Sequence, residues 1–261
     1  MIMKKILILI LSLIMTVSLV ACNGQNNDGH QEKAPISMSA QDIYSAVAGL
    51  CRTEIIDLEI AHTKYLGDLS STTRTAVACK GFMTDSVEYY IREKVGISDF
   101  ADEILVGGIL YTNYGDEIKI KTSNAQYQSR EELEKLIREF PEISDFDKSE
   151  VTSDSEKATL TLTGISSGIF YEAVLGIKPQ DFDSMTEYDE ACAAYAFDAS
   201  KYVLSITVNA NGELVEITED YSYDHSDGNA TESYKVKTST VLGKNADKIK
   251  APEDADEYYE Y

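Results

Sequence analysis

The chain has 261 residues, with 23 lysine and arginine side chains against 45 aspartate and glutamate side chains. The net charge of −22 argues against nucleic-acid binding, because a protein that holds phosphates needs clustered basic side chains. It also argues against a broad electrostatic contact with anionic lipid headgroups. The length allows one large β-rich domain or two small ones, and the hydrophobic share of 43% is typical of a folded protein.

The N-terminus has the pattern of an export signal. Two lysines precede an apolar run at 6–21, which is short for a membrane span of about 20 residues. The run ends in Leu-Val-Ala-Cys at 19–22, which resembles the lipobox of bacterial lipoproteins. This resemblance implies that residues 1–21 are removed and that the Cys22 thiol carries diacylglycerol. The protein would then be anchored to the outer face of the bacterial cell membrane; a plain signal peptide and a short membrane anchor are the alternatives.

Composition divides the rest of the chain into three segments. Residues 22–38 are polar and lack periodicity, which indicates a lipidated flexible tether. Residues 39–250 carry the periodic patterns of a folded domain. Residues 251–261 form an acidic, tyrosine-rich tail, for which a solvated end is expected and a docking peptide is the alternative.

The domain begins with a predicted helix and a run of strands. Ser39 and Asp42 have the spacing of a capping box, and apolar residues follow at helical intervals. Over 53–122, apolar and polar side chains alternate, as in strands with one buried face and one solvent-exposed face. This pattern predicts a meander of about five antiparallel strands.

Helices are predicted to follow the meander. A capping box of Ser129 and Glu132 opens a helix that ends near Pro141. A strand is predicted over 157–163, and a strongly apolar helix over 165–177. A further helix begins at Ser184.

The C-terminal part is predicted to be strands, with the best-defined hairpin at 201–223 and a last strand at 232–241. The Asn-Gly pair at 211–212 favours a two-residue turn. The predicted cross-strand pairs are Val208 with Val215, Ile206 with Ile217, Tyr202 with Tyr221 and, as the one discordant pair, Leu204 with Glu219.

This order of elements resembles the LolA/RseB-like lipoprotein superfamily over roughly residues 39–250. The resemblance rests on the element order, on the pattern of strand residues around the Asn-Gly turn at 201–223, and on the closing Ile-Lys-Ala-Pro at 249–252. It implies an α+β fold in which an antiparallel, strongly curved sheet, an incomplete β-barrel, wraps around a few helices. The helix at 165–177 would plug the sheet, and an apolar concavity would bind a lipid or another hydrophobic ligand.

Candidate ligand-lining residues are apolar or aromatic side chains on the predicted strands and on the apolar helix. They are Leu58, Ile60, Tyr89, Ile91, Ile109, Tyr111, Leu160, Leu162, Phe170, Val174, Ile206 and Ile217. Among the 17 tyrosines, those in strands suit either a half-buried sheet surface or the lining of a cavity, because the ring is apolar and the hydroxyl is polar.

No catalytic residue, metal ligand or cofactor is predicted. The chain has three histidines and contains neither a zinc-type His-Glu-x-x-His or Cys-x-x-Cys spacing nor a Gly-x-Ser-x-Gly elbow or P-loop. Asp220, Asp224 and Asp227 do not have the spacing of a calcium loop and are interpreted as a polar loop. Cys51 and Cys79, like Cys192, lie beside apolar or small residues, which favours buried free thiols over a disulfide.

The sequence therefore predicts a non-enzymatic, membrane-anchored extracytoplasmic lipoprotein that binds a lipid or another hydrophobic ligand. Its partners would be the membrane, through diacylglyceryl-Cys22, a lipid or apolar small molecule, and an envelope protein, but no nucleic acid. The main alternative is a protein-interaction or envelope-sensor module with a filled core and no small ligand. A hydrolase is a third and weaker alternative.

Overall fold

A computed structural model describes residues 34–84, 86–96, 98–115, 118–123, 133, 136–137 and 139–261. The export signal, Cys22 and most of the helix predicted at 129–140 lie outside these described residues. Within them, no helix is both long enough and apolar enough to cross a membrane.

In the described part of the chain, thirteen strands form a single sheet. They are β1 (Ile55–Leu66), β2 (Leu69–Lys80), β3 (Glu88–Val95), β4 (Ser98–Val106), β5 (Ile109–Asn113), β6 (Lys119–Ser123), β7 (Phe146–Ser153), β8 (Lys157–Ile165), β9 (Tyr195–Phe197), β10 (Val203–Asn209), β11 (Leu214–Ser226), β12 (Thr231–Leu242) and β13 (Tyr259–Glu260). Their spatial order is β13-β6-β5-β4-β3-β2-β1-β12-β11-β10-β8-β7, and β9 pairs with β11 beyond the end of β10.

The helices that lie wholly within the described residues are short. They are α1 (Ala40–Ala48), α2 (Ser167–Ile169), which continues into a π-helical turn (Phe170–Val174), and α3 (Met185–Ala193). Single 3-10 turns lie at Leu50–Arg52, Ile143–Asp145, Pro179–Asp181, Ala199–Lys201, Ala246–Lys248 and Ala255–Glu257. The predicted capping box of α1 is present: the Ser39 hydroxyl accepts from the Asp42 N–H at 3.1 Å, and the Asp42 carboxylate accepts from the Ser39 N–H at 3.0 Å.

The predicted meander is confirmed, with one more strand than expected. Strands β1 to β6 are neighbours in chain order, and each pairs antiparallel with the next. The additional strand, β4, has adjacent acids at Asp102 and Glu103 that hide the alternation. Arg92 on β3 binds the Asp102 carboxylate through two hydrogen bonds of 2.7 and 2.8 Å, so this strand is stabilised by a partner that its own sequence does not reveal.

The predicted α+β fold, an incomplete β-barrel strongly curved around a few helices, is wrong. The sheet is open, because the described end strands β13 and β7 pair with different neighbours and not with each other. It is also mixed, since β13 runs parallel to β6. The apolar helix expected at 165–177 is shorter, covering only Ser167–Val174, and Phe170 is the one fully buried side chain within it. Such short helices cover a sheet face without filling the interior of a barrel.

Two apolar clusters take the place of a single plug, and both use the same face of the sheet, here called the helix-bearing face. The first joins α1 and the π-helical turn to β8, β10, β11 and β12. Its buried members are Ile43, Tyr44, Val47, Ala158, Leu160, Leu162, Ile165, Phe170, Tyr202, Leu204, Ile206, Val208, Ile217, Tyr221 and Val236. The second lies over β1 to β4 and includes Cys51, Ile56, Leu58, Val77, Cys79, Phe82, Val87, Tyr89, Ile91, Leu105, Leu133 and Ile137.

The hairpin of β10 and β11 has the predicted register except near its turn. Ile206 lies opposite Ile217, and Leu204 lies opposite Glu219. A bulge then shifts the pairing by one residue, so Val208 faces Leu214 and not Val215. The cause is a longer loop, in which the Asn209 N–H donates to the Glu213 carbonyl at 2.9 Å.

The tail at 251–261 is attached to the sheet through Tyr258 and β13, whereas Tyr259 and Tyr261 are exposed, so the expected solvated end is present only in part. The Tyr258 ring is buried edge-on against Tyr111, with 5.3 Å between the ring centroids. Lys119 on β6 donates to Asp254 and, at 2.8 Å, to Glu257. The hydrogen bond to Asp254 is the main cause of a raised pKa at Lys119, and the same bond lowers the pKa of Asp254.

The expected burial of the thiols is confirmed. Cys51, Cys79 and Cys192 are each buried, and no disulfide joins any two of these described cysteines. Burial also raises the pKa of the Cys51 thiol, so this side chain is held in its neutral form at ordinary pH.

Candidate functional site

A cavity of about 400 Å³ lies on the helix-bearing face, between the two apolar clusters. Its volume is within the range of small-molecule sites. The described residues that line it are Leu50, Cys51, Leu58, Ile60, His62, Thr73, Thr75, Glu93, Leu136, Ile137, Phe140, Val174, Glu219, Tyr221, Thr238 and Thr240.

The floor of the cavity is polar because of the register of four strands. In one row across the sheet, Thr73 on β2 pairs with His62 on β1, His62 pairs with Thr238 on β12, and Thr238 pairs with Glu219 on β11. Residues two apart in a strand share a face, so the next row brings Thr75 and Thr240 to the same floor. Polar side chains therefore occupy the centre of a face whose two sides are apolar.

The wall opposite the floor is apolar and comes from the segments that cover the sheet. Leu50 follows α1, Val174 ends the π-helical turn, and Phe140 precedes β7. Tyr44 on α1 fixes part of this wall, because its hydroxyl donates to the Phe140 carbonyl at 3.1 Å. Burial raises the pKa of the Tyr44 hydroxyl, which keeps it a donor.

Glu219 is the most deeply buried charged group of the site, with 4% of its surface exposed. The fully buried Tyr202 donates its hydroxyl hydrogen bond to the Glu219 carboxylate. Beside it, His62 Nδ1 lies 3.3 Å from the Thr238 hydroxyl oxygen. A carboxylate is costly to bury without hydrogen-bond donors, so the phenol stabilises an acid at this position.

The predicted lining residues fall into three groups. Leu58, Ile60 and Val174 line the cavity. The packed clusters contain Tyr89, Ile91, Leu160, Leu162, Phe170, Ile206 and Ile217, with Leu58 also belonging to the second cluster. On β5, Tyr111 packs against the tail, and Ile109 is half-buried away from the cavity-lining set.

Sequence reasoning did not select the polar floor. His62 and the threonines lie on the apolar side of their strands, where hydrophobicity patterns favour core residues. The useful signal was the discordant pair Leu204 and Glu219, because an acid at a core position needs a local reason.

Asp220 and Asp227, which were considered for calcium binding, and the nearby His225 all have structural partners. Asp220 is 3.6 Å from Lys235 and 3.2 Å from Lys237, and Asp227 accepts backbone hydrogen bonds at 2.8 and 2.9 Å within its own turn. His225 packs on the Tyr195 ring at 4.7 Å. Across the described part of the chain, no group of three or more His, Cys, Asp or Glu side chains is arranged to hold a metal ion.

Comparison with known proteins yields similar solved structures only. No protein-family model and no curated protein matches the chain. A Pseudomonas aeruginosa MucA/MucB complex structure is 11% identical, with a TM-score of 0.30, over 82% of this chain and 61% of that chain. The LolA superfamily protein NE2245 from Nitrosomonas europaea is 13% identical, with a TM-score of 0.27, over 82% and 97%.

A third similar structure is LprF from Mycobacterium bovis, which is 12% identical, with a TM-score of 0.33, over 78% of this chain and 93% of that chain. Solved structures similar to this chain thus include a LolA superfamily protein. This chain spans less than two thirds of the MucA/MucB chain that it matches. Because all three TM-scores are below 0.5, the proposed function is argued from the residues of this chain alone.

Proposed function

We propose that this protein is a non-enzymatic binding protein that holds a lipid or another amphipathic small molecule in the cavity on its helix-bearing face. The observation that carries the proposal is the 400 Å³ cavity between two packed clusters. The apolar wall of Leu50, Phe140 and Val174 suits hydrocarbon, and the floor suits a polar group. A mixed lining of this kind is typical of sites that bind small ligands.

A variant that fills the cavity tests the proposal. Thr238 is half-buried on the floor, so Thr238→Phe places a ring where the ligand would lie. We expect at least a tenfold weaker affinity of the delipidated protein for a fluorescent long-chain alcohol, measured by titration. The matched control is Thr218→Phe. It makes the same substitution on the opposite face of the sheet, in β11, and should leave the affinity for the alcohol within twofold of that of the unaltered protein.

Native mass spectrometry of the protein purified from a bacterial membrane gives a second readout. We expect a bound molecule of lipid size that Thr238→Phe loses and Thr218→Phe retains. If neither the extracted protein nor the titration shows a ligand, the binding function is refuted, and an interaction module without a small ligand replaces it.

We further propose that the protein is a lipoprotein anchored outside the cytoplasm through Cys22, on the strength of the sequence at 19–22. In cells fed labelled palmitate, Cys22→Ala should abolish incorporation of label and move the protein out of the membrane fraction. The physical reason is that acyl burial contributes about 0.8 kcal/mol per methylene, so two chains hold the protein firmly. Retention of the variant in washed membranes would contradict the lipid anchor; Cys51→Ala is the matched control.

A further inference from the structure

A second apolar space, here called the end groove, lies beside the cavity at the end of the sheet where β1 and β11 begin and β12 ends. Its volume is about 430 Å³. Its apolar side chains come from α1, from the turn that follows α1 and from each of the three strands; they are Ala46, Leu50, Ile55, Leu214 and Leu242. Ile55 and Leu242 expose 42% and 49% of their surface. Such a surface is stabilised when hydrocarbon covers it, because apolar area is then removed from water.

The two acids of the end groove are held by neighbouring turns. The Asp57 carboxylate accepts from the backbone N–H groups of Asn245 and Ala246 at 2.6 and 2.7 Å. The Glu213 carboxylate accepts from the Asn209 side-chain amide at 2.6 Å. A hydrocarbon chain that lies on the apolar side chains of the groove leaves these hydrogen bonds in place. The groove therefore suits the apolar part of a ligand.

One strand leads from the cavity to the end groove. Residues two apart in a strand share a face, so Thr238, Thr240 and Leu242 follow one another along the helix-bearing face of β12. The two threonines line the cavity, and Leu242 lines the groove. At about 3.4 Å per residue, Thr238 and Leu242 are about 14 Å apart. Leu58, which also lines the cavity, pairs directly with Leu242. The polar floor and the apolar groove are thus neighbours on the same face.

Leu50 lies between the two spaces. Among the described residues, it is the one that lines both the cavity and the end groove. It is also the one half-buried apolar residue of the described chain that packs against both clusters. It begins a 3-10 turn after Gly49, which caps α1, and its carbonyl accepts from the Thr53 hydroxyl at 2.9 Å. Because this turn is held by its own hydrogen bond, the boundary between the cavity and the groove is the Leu50 side chain.

On these grounds we propose that Leu50 sets the length of the hydrocarbon chain that the site accepts. The polar group of the ligand lies at Thr238, and its chain runs toward Leu242 and ends at Leu50. Each methylene that is buried before Leu50 strengthens binding, whereas a further one would have to displace a packed side chain. A smaller residue at position 50 joins the cavity to the end groove and admits a longer chain. This inference rests on the proposed function and specifies the chain length of the ligand.

A series of primary alcohols from octanol to hexadecanol tests the inference. Each alcohol competes with the fluorescent long-chain alcohol for the delipidated full-length protein. We expect the affinity to rise about fourfold with each added carbon, up to a limiting length beyond which it stops rising. In Leu50→Ala the limit should lie at least two carbons higher, so that alcohols of this length bind at least tenfold more tightly than to the unaltered protein.

Two variants control for effects on packing. Leu110→Ala makes the same substitution at a half-buried residue that packs on the second cluster and lines neither space, and it should keep the original limit. Adding Leu242→Glu to Leu50→Ala places a charge in the end groove and should restore the original limit, because hydrocarbon cannot cover a carboxylate without loss of its hydration.

The outcomes separate the inference from the proposed function. An equal limit in Leu50→Ala and in the unaltered protein would overturn the inference, leave the binding function intact and assign the end groove to another occupant. Affinity that rises without a limit up to hexadecanol in the unaltered protein would overturn it as well. Failure of every alcohol to bind would overturn both. Should Leu50→Ala not fold, Leu50→Val decides, with a limit at least one carbon higher expected and an unchanged limit contradicting the role of Leu50.

Discussion

Replacing Phe170 by alanine is expected to lower the free energy of unfolding by about 3–5 kcal/mol. The Phe170 side chain has no exposed surface. Its ring is stacked on Phe197 with 3.5 Å between centroids and meets the Tyr202 and Tyr221 rings edge-on at 6.3 and 5.6 Å. Alanine would leave a cavity among aromatic rings that are held by β9, by β11 and by the residue just before β10, and these cannot close around it.

Urea unfolding followed by circular dichroism measures this loss. Because a domain is stable by only about 5–15 kcal/mol, the variant should unfold at a markedly lower urea concentration. The matched control is Phe182→Ala, since Phe182 is half-buried and contacts the Tyr188 ring at 5.9 Å. A loss at Phe170 no greater than that at Phe182 would contradict the assignment of Phe170 to the centre of the first cluster.

Replacing Tyr202 by phenylalanine is expected to cost about 2–3 kcal/mol, although only one oxygen atom is removed. The Glu219 carboxylate would lose a charge-assisted hydrogen bond in a site where water has little access. Tyr171→Phe is the matched control, because its hydroxyl donates to a neutral backbone carbonyl, that of Tyr195, at 3.2 Å. Its loss should be about 1 kcal/mol.

A double-mutant cycle separates the hydrogen bond from the packing of the ring. In a Glu219→Gln background, the change at Tyr202 should cost less than in the unaltered protein, and the difference measures the coupling of the pair. Equal costs in both backgrounds, or equal costs for the Tyr202 and Tyr171 changes, would mean that the buried carboxylate does not depend on this phenol.

Local sequence patterns were enough to predict the elements whose signals lie within their own residues. The cap at Ser39 and the alternation along β1 and β12 predicted α1 and both strands, because each signal lies within one element. They did not suffice for β4, which depends on Arg92 of the neighbouring strand, or for β13, which two terminal residues form against β6. Neither pairing leaves a periodic pattern in the segment itself.

The cavity depended still more on distant residues. Thr238 and Glu219 form a floor with His62 only because β12 and β11 lie beside β1 in the sheet. The alternation of residues within β1 does not indicate which strand will be its neighbour. The predicted apolar residues mostly fill the two clusters, since a good core residue and a good lining residue have the same pattern. What distinguishes a site from a core is the polar residue that breaks the pattern.

The pairing of β1 with β12 has a consequence for the order of assembly. The side chains of His62 and Thr238 touch although the two residues are 176 positions apart in the chain. During synthesis, β1 to β6 can form their local hairpins early, whereas the floor of the cavity closes only after β12 has been made. Such distant pairing is slow to form, because the chain loses the entropy of closing a long loop before the stabilising contacts are made. Under the proposed function, ligand binding thus arises late in the synthesis of the chain, and a chain that stops before β12 has the meander without the site.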